Sequence, residues 1–353
     1  VLSLGTAFDT RTPEGQRILA TAYQWGVTYW DSAYIYGKGT SETGIGQYFQ
    51  ANPAHREKVF LISKNMQRDP AEMDKVLDES LRRVGSDYFD LYLLHDCRTI
   101  EKHFPDEAVA WIEKQKRAGK ARHIGFSTHK NMAELLRYGA GLGVFDGVLV
   151  SYNFRLMHDA EMREAVGACH DAGMGVSAMK VMGFGVHGYA EGDAGQAEKQ
   201  LMQGLAKKGY SLPQAKIKAV LSDERVTTAV VRAPEMKFLL ENTASVVDRQ
   251  KLSADELAAM GAYARATCGA YCAGCGQICE PAVGQEVPVA DVMRYLMYHN
   301  SYGDRDEARR LFAALPAGVR RRLASVDYAS AERACPQGLE IGRLMRQAAR
   351  TLA

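Results

Sequence analysis

The amino-acid sequence predicts a (β/α)8 TIM barrel over residues 1–250, followed by a small all-α cysteine-bearing domain over residues 251–353. Three observations support this prediction. Eight short β-rich runs alternate with amphipathic helical stretches in the first part of the chain, the strand pattern stops near residue 250, and cysteines cluster beyond it. Strict alternation of strands and helices favours a parallel sheet, and a count of eight favours a closed barrel over an open sheet.

The predicted strands are short apolar runs rich in β-branched and aromatic residues. They cover residues 1–5, 27–31, 59–64, 89–95, 121–127, 145–151, 175–180 and 226–232. The clearest helical stretches between them, several of which end at a Gly, are 13–26, 71–85, 106–119, 162–173 and 212–224. No G-x-G-x-x-G motif follows the first predicted strand, which counts against a dinucleotide-binding Rossmann unit.

Two further segments complete the predicted organisation. The Gly-rich stretch from Met182 to about Tyr210 is predicted to be a long loop that covers a site. Beyond the barrel, the helical stretches are 252–265, 290–303, 305–315 and 342–353.

The composition is that of a globular protein, with 46% hydrophobic and 24% charged residues. The 44 basic and 42 acidic residues give a net charge of +2, which makes no electrostatic case for nucleic acid or an anionic membrane as partner. No apolar run reaches the length of a membrane span, and no export signal is visible, so we expect a cytoplasmic protein. The chain starts at Val1 rather than Met, so a removed export signal stays open.

Three successive predicted strands end on an ionisable residue: Asp31, Lys64 and His95. Tyr36 follows Asp31 in a loop bounded by Gly37. Charged groups do not suit the interior of an apolar strand, and the carboxyl ends of barrel strands meet at one mouth, where active sites form. Each residue alone is explained as a loop or surface side chain, but the four in order predict a site.

This pattern resembles the catalytic tetrad of the aldo-keto reductase family, with Asp31, Tyr36, Lys64 and His95 at the matching positions. Tyr34 competes for the role of Tyr36, but the five-residue offset from Asp31 matches Tyr36. The resemblance implies reduction of an aldehyde or ketone. Tyr36 would donate the proton, Lys64 would lower the pKa of Tyr36, Asp31 would orient Lys64, and His95 would bind the substrate oxygen.

The same resemblance implies bound NADP(H) and extends over most of the first 245 residues. The nicotinamide would meet Ser127, with Thr128 beside it, and Asn153. Arg232 would pair with a 2′-phosphate, although an exposed strand-end charge is an equal explanation for it, and Glu241 and Asn242 would meet adenine. Thr128, Leu149 and Phe238 depart from the family's usual residues, and the seventh strand ends in Ala-Met-Lys where a Tyr is usual.

The cysteine run CGAYCAGCGQIC contains Cys272, Cys275 and Cys279 at spacings of three and four residues, and Cys335 precedes Pro336 farther on. Ferredoxin motifs use three closely spaced cysteines and a later Cys-Pro, and in two-cluster proteins the last Cys of one motif binds the other cluster. Val283 stands where the first motif would have its fourth Cys, and Ala331 and Tyr328 replace cysteines of the second. One complete set of four cluster-binding cysteines remains.

The sequence therefore predicts one [4Fe-4S] cluster on Cys272, Cys275, Cys279 and Cys335, resembling the aldo-keto reductase branch with a C-terminal ferredoxin-like domain. Two alternatives stay open: a structural zinc site in which Cys268 replaces Cys335, and a remnant with free thiols. The predicted function is an NADPH-dependent reductase of a small carbonyl compound, with an external electron carrier as a further possible partner. The alternative function is a non-catalytic nucleotide-binding redox sensor.

Overall fold

The computed structural model describes residues 1–183, 193–267, 271–284, 287–300 and 303–353. Eight parallel strands close a barrel in sequence order, with β8 beside β1. The strands are β1 (Leu2–Gly5), β2 (Tyr29–Asp31), β3 (Phe60–Asn65), β4 (Phe89–Cys97), β5 (Ala121–Thr128), β6 (Gly147–Ser151), β7 (Gly175–Met179) and β8 (Val226–Arg232). The predicted (β/α)8 barrel is thus confirmed.

The helices around the barrel are α1 (Pro13–Gln24), α2 (Thr40–Ala51), α3 (Pro70–Val84), α4 (Ile100–His103), α5 (Asp106–Arg117), α6 (Met132–Leu142), α7 (Ala160–Asp171), α8 (Asp193–Ala206), α9 (Leu212–Leu221), α10 (Met236–Val247) and α11 (Ala254–Ala266). Several begin at a residue whose side chain accepts a backbone N–H of the first turn, among them Thr12, Asp69, Asp159, Ser211 and Ser253. Such caps satisfy donors that the helix itself leaves unpaired, so they set where each helix starts.

Apolar side chains fill the barrel and the layer between strands and helices. Ile62, Leu91, Leu93, Leu149 and Val230 pack inside the barrel, so Leu149 is part of its core. A larger cluster joins the outer faces of the strands to the apolar sides of the helices. This burial on both faces is why the strands read as continuous apolar runs.

The long loop predicted between Met182 and Tyr210 is wrong in part. Residues 184–192 lie outside the described residues, but Asp193–Ala206 forms α8. Leu201 and Leu205, four residues apart on one face of α8, are buried against α11. The Gly content of the preceding stretch therefore concealed a helix that packs as part of the barrel's outer layer.

The last hundred residues are helical, as predicted. The helices are α12 (Gly276–Cys279), α13 (Val289–Asn300), α14 (Arg305–Ala313), α15 (Ala317–Arg322), α16 (Ala329–Ala334) and α17 (Ile341–Thr351). They share a separate apolar core that includes Val292, Phe312, Leu323 and Met345. The domain boundary at residue 250 stays a prediction. Of the described helices, none is both long and apolar enough to cross a membrane.

Ion pairs hold this helical part on the carboxyl-terminal mouth of the barrel. Lys130, just after β5, lies with its Nζ 2.9 Å from Glu280 Oε1 and 3.2 Å from Asp291 Oδ2. Arg98, just after β4, pairs with the other oxygen of Asp291 at 3.0 Å. The Asn131 backbone N–H donates to the Gly274 carbonyl at 2.9 Å. The cysteine segment is therefore fixed against the ends of β4 and β5.

Candidate active site at the barrel mouth

The four residues of the predicted tetrad come together at the barrel mouth. Lys64 Nζ lies 2.9 Å from Asp31 Oδ1 and donates to Tyr36 Oη at 3.4 Å. It also donates to the Ser32 carbonyl. The ring of Tyr36 meets the ring of His95 edge to face, with 6.1 Å between centroids. The close approach follows from the parallel barrel, which brings the carboxyl ends of β2, β3 and β4 together.

Burial dominates the electrostatics of this group. Burial raises the pKa of Asp31 and of Tyr36 above their ordinary values, and the Lys64 ammonium opposes both shifts. Burial alone would lower the pKa of Lys64, but the neighbouring Asp31 and Tyr36 outweigh it, so this pKa is raised. The sequence predicts that Lys64 brings the pKa of Tyr36 down. Desolvation of the phenolate is the larger effect here, so Tyr36 keeps its proton.

His95 is neutral in this environment. Burial lowers its pKa well below the ordinary range, and the cations Lys64, Arg68 and Lys180 lower it further. Its Nδ1 is buried and has no hydrogen-bond partner among the described residues. A neutral imidazole carries one N–H donor and one acceptor nitrogen, so His95 can donate to an oxygen in the site without a charge of its own.

The choice between the two tyrosines follows from the geometry. The guanidinium of Arg83 lies 4.3 Å from the centre of the Tyr34 ring, whereas Lys64 Nζ lies 4.6 Å from the centre of the Tyr36 ring. Tyr36 is therefore the tyrosine beside the Lys64–Asp31 pair.

The residues proposed for the nicotinamide are buried, and much of their hydrogen-bonding capacity is used within the chain. Ser127 Oγ accepts from the Asp96 backbone N–H at 3.0 Å, and Thr128 Oγ1 donates to the Lys130 carbonyl at 2.8 Å. Asn153 Nδ2 donates to Tyr271 Oη at 3.0 Å and to the Lys180 carbonyl at 3.3 Å, and its Oδ1 accepts from Arg155. Ser127 keeps its own hydroxyl hydrogen for a ligand, whereas both amide hydrogens of Asn153 are committed.

The residues proposed for the adenosine half lie around the end of β8. Arg232 is exposed, and its backbone carbonyl accepts from Asn242 Nδ2 at 3.4 Å. Glu241 Oε1 accepts from Ser211 Oγ at 2.9 Å. The structure thus brings Arg232 and Asn242 together, while the Glu241 carboxylate is turned to the start of α9.

A cavity that is partly open to solvent lies between the barrel mouth and the helices beyond residue 270. The barrel contributes His129, Met132, Ser151, Asn153, Lys180 and Gly183, and the remaining wall is Tyr271, Cys272, Ala273, Gly274, Ala290, Met293, Arg294 and Met297. Lys180 was not predicted as a site residue, although it ends a strand as Lys64 does. Arg294 and Tyr271 carry no comparable signal in the sequence.

Cys272, Cys275, Cys279 and Cys335 lie close to one another, and none forms a disulfide. Burial raises the pKa of each of the first three thiols to about 12, and in each case neighbouring cysteines, including Cys335, add to the shift. Helix α12, which bears Cys279, packs against α16, the helix that ends just before Cys335. Cys268 lies outside the described residues. Within the described part of the chain, no group of three or more His, Cys, Asp or Glu side chains has the spacing to hold a metal ion.

Comparison with known proteins agrees with the barrel fold. The model of the aldo/keto reductase family matches residues 2–264. The chain is 31% identical over 150 residues to an aldo-keto reductase of Schizosaccharomyces pombe named for NADP(+), a match that covers 39% of this chain and 43% of the relative. The chain thus spans less than half of that relative's length.

Two solved structures share the fold. An aldo-keto reductase of Bacillus halodurans in its holo form has a TM-score of 0.61 at 22% identity, covering 75% of this chain and 92% of that one. An aldo-keto reductase of Klebsiella pneumoniae in complex with NADPH has a TM-score of 0.58 at 22% identity, covering 73% and 89%. Because the family model accounts for well over half of the sequence, the chain belongs to the aldo/keto reductase family.

Proposed function

We propose that this protein is an NADP(H)-dependent oxidoreductase that reduces an aldehyde or ketone to the alcohol. The observation that carries the proposal is the buried Lys64–Asp31 pair, in which Lys64 Nζ stands 2.9 Å from Asp31 and also lies 3.4 Å from Oη of the half-buried Tyr36. Such a group suits proton transfer to a carbonyl oxygen at the mouth of the barrel. A related protein named for NADP(+) and a structural neighbour named as an NADPH complex support the choice of cofactor.

Each residue has a distinct task in the proposed reaction. NADP(H), when bound, would supply the hydride. Tyr36 holds the proton that passes to the carbonyl oxygen, and the Lys64 ammonium stabilises the phenolate left behind. Asp31 keeps Lys64 charged and in place, and neutral His95 donates a hydrogen bond to the substrate oxygen.

Ser127 fits the cofactor best among the residues named for the nicotinamide, because its hydroxyl hydrogen remains available for an acceptor. Arg232, exposed at the end of β8, suits a 2′-phosphate, with Asn242 beside it. Thr128, Asn153 and Glu241, whose side chains hydrogen-bond to Lys130, Tyr271 and Ser211, would contribute their remaining acceptor oxygens.

Replacing Tyr36 with Phe tests the proposed reaction. We expect Tyr36→Phe to lower NADPH oxidation with an aldehyde or ketone by about 10²–10⁴-fold, the usual value of general acid catalysis, while the Kd for NADPH stays unchanged. Turnover is followed at the nicotinamide absorbance and binding by fluorescence titration. Tyr34→Phe is the matched control, because Tyr34 contacts Arg83 instead of Lys64, and it should keep the parent rate. Full activity in Tyr36→Phe would refute the assignment, and a parent that binds NADPH but turns over no carbonyl compound would favour the redox sensor.

We further propose one [4Fe-4S] cluster held by Cys272, Cys275, Cys279 and Cys335. The pKa values of the Cys272, Cys275 and Cys279 thiols are raised by burial and by neighbouring cysteines, including Cys335, and none of the four residues forms a disulfide. Thiolates are the ligands of iron–sulfur clusters, and four of them complete this type. Each of the four irons takes one thiolate, so the four ligands surround a cluster that is larger than a single metal ion. Binding of the cluster would offset the cost of ionising buried thiols. An external electron carrier stays a prediction.

A further inference from the structure

The cavity above the barrel shares Asn153 with the residues proposed for the nicotinamide, and the described residues that line it include no member of the tetrad. Lys180, which follows β7, lines the cavity, and its Nζ lies 4.7 Å from the centre of the Tyr298 ring on α13. The charge of Lys180 lowers the pKa of both His95 and His129, and Tyr298 helps to raise the pKa of Tyr36. The tetrad and the cavity wall therefore share one electrostatic environment.

The charge of this wall is positive. Among the described residues that line the cavity, Lys180 and Arg294 are cationic and none is acidic. The nearby carboxylate of Asp96 lies 2.7 Å from Arg98 and 3.8 Å from Arg294 Nη1, so its charge is shared between two guanidinium groups. Arg294 is held by the His129 carbonyl, to which it donates at 2.7 Å.

The backbone places Lys180 in an unusual conformation. Its φ is +57°, in the left-handed region that residues other than Gly rarely adopt. Asn153 Nδ2 donates to the Lys180 carbonyl at 3.3 Å and helps to hold the residue there. A strained backbone at a ligand cavity persists when the surrounding structure enforces it, and it often marks a functional residue.

We propose that this cavity binds the carboxylate of an anionic carbonyl substrate, with Lys180 as the residue that recognises it. Met132, Met293 and Met297 line the same cavity and suit an apolar spacer between carboxylate and carbonyl. The carbonyl takes a hydride from the nucleotide and a proton from Tyr36, and the carboxylate passes through the reaction unchanged. This inference rests on the proposed reductase function and narrows its substrate class.

The test compares an acid with its ester. NADPH oxidation is measured with 4-carboxybenzaldehyde and with methyl 4-formylbenzoate for the parent, Lys180→Met and Lys120→Met. We expect kcat/KM of the parent to be about tenfold or more higher for the acid, as one charge-assisted hydrogen bond provides. Lys180→Met should lose this preference through KM and leave the ester rate and the Kd for NADPH unchanged. Lys120→Met is the matched control and should keep the preference for the acid. Lys120 stands just before β5, at the opposite end of the barrel, and pairs with Asp78.

The outcomes separate this inference from the proposed reaction. The carboxylate site would be overturned by equal rates for acid and ester in the parent, or by a preference for the acid that survives in Lys180→Met. Weaker NADPH binding in Lys180→Met would also overturn it, because that result would assign the Lys180 charge to the cofactor. If neither aldehyde is reduced, the proposed reaction fails. Calorimetry with 4-(hydroxymethyl)benzoate and its methyl ester then decides the anion site: binding of the acid alone, lost in Lys180→Met, supports it, and absence of binding to the parent overturns it.

Discussion

At the scale of single residues, the partly buried position of Tyr36 and His95 determines the expected pH dependence of the proposed reaction. The proposed reduction requires Tyr36 protonated, and burial moves its pKa above the ordinary value of about 10. His95 has a pKa well below its ordinary value of about 6.5, so it is already neutral at pH 6. We therefore expect kcat/KM for carbonyl reduction to stay level between about pH 6 and 9 and to fall only above the ordinary range of tyrosine.

A pH–rate profile of the parent with a single aldehyde checks this expectation. An inflection between pH 6 and 8 that disappears in His95→Gln would contradict it, because that result would mean that His95 titrates with an ordinary pKa. A profile that stays level in both proteins would agree with a neutral donor.

At the scale of elements, the segment that carries the first three cysteines depends on a glycine. Gly274 has a φ of +80°, and a Cβ there would lie 2.5 Å from the His129 carbonyl oxygen after β5. We expect Gly274→Ala to cost about 1–3 kcal/mol of unfolding free energy and to displace the segment from the barrel. Thermal unfolding followed by circular dichroism, together with the iron content of the purified variant, measures both effects.

Gly141→Ala is the matched control for this change. Gly141 lies in α6, where an added Cβ would meet no atom within 4 Å and the backbone is that of an ordinary helix. Alanine should therefore leave the iron content unchanged and leave stability equal or slightly higher. Equal behaviour of the two variants would show that the close approach of Gly274 to β5 has no energetic consequence.

At the scale of the whole molecule, the proposal joins a barrel to a cluster-bearing domain, and metal analysis tests that union. We expect anaerobically purified protein to contain about four irons and four sulfides per chain, with an absorption band that bleaches on reduction by dithionite. Cys335→Ala should lose the iron. Cys169→Ala, a change within α7 on the barrel, should retain it.

Zinc in place of iron in the parent would favour the site that includes Cys268, and protein free of metal would favour the remnant with free thiols. Iron that stays fully bound in Cys335→Ala would show that Cys335 is not a ligand.

Much of the barrel could be predicted from the sequence because its strands are buried on both faces and therefore stand out as apolar runs. The positions of Asp31, Lys64 and His95 followed from the same pattern, since a parallel barrel brings strand ends together. Lys180 could have been recognised by that rule as well. The hydrogen bonds that occupy Asn153 could not be predicted, because Tyr271 comes from a segment more than a hundred residues away along the chain.

The raised pKa of Tyr36 was also beyond the sequence, because the sign depends on how burial balances against Lys64. Helix α8 was missed because the Gly-rich stretch before it suggested a loop, whereas the apolar pair Leu201 and Leu205 packs on α11. Both cases are decided by packing between distant parts of the chain rather than by local pattern.

The tetrad and the cavity come from widely separated parts of the chain. The tetrad lies within the first 95 residues, whereas much of the cavity wall, including Met293 and Met297, lies beyond residue 270. If the proposed substrate site is correct, we expect mutations in the last hundred residues to change which molecules are accepted without altering the reaction chemistry. A library restricted to Met293 and Met297 would be an economical route to new substrate ranges, since the tetrad and its inherited reactivity stay untouched.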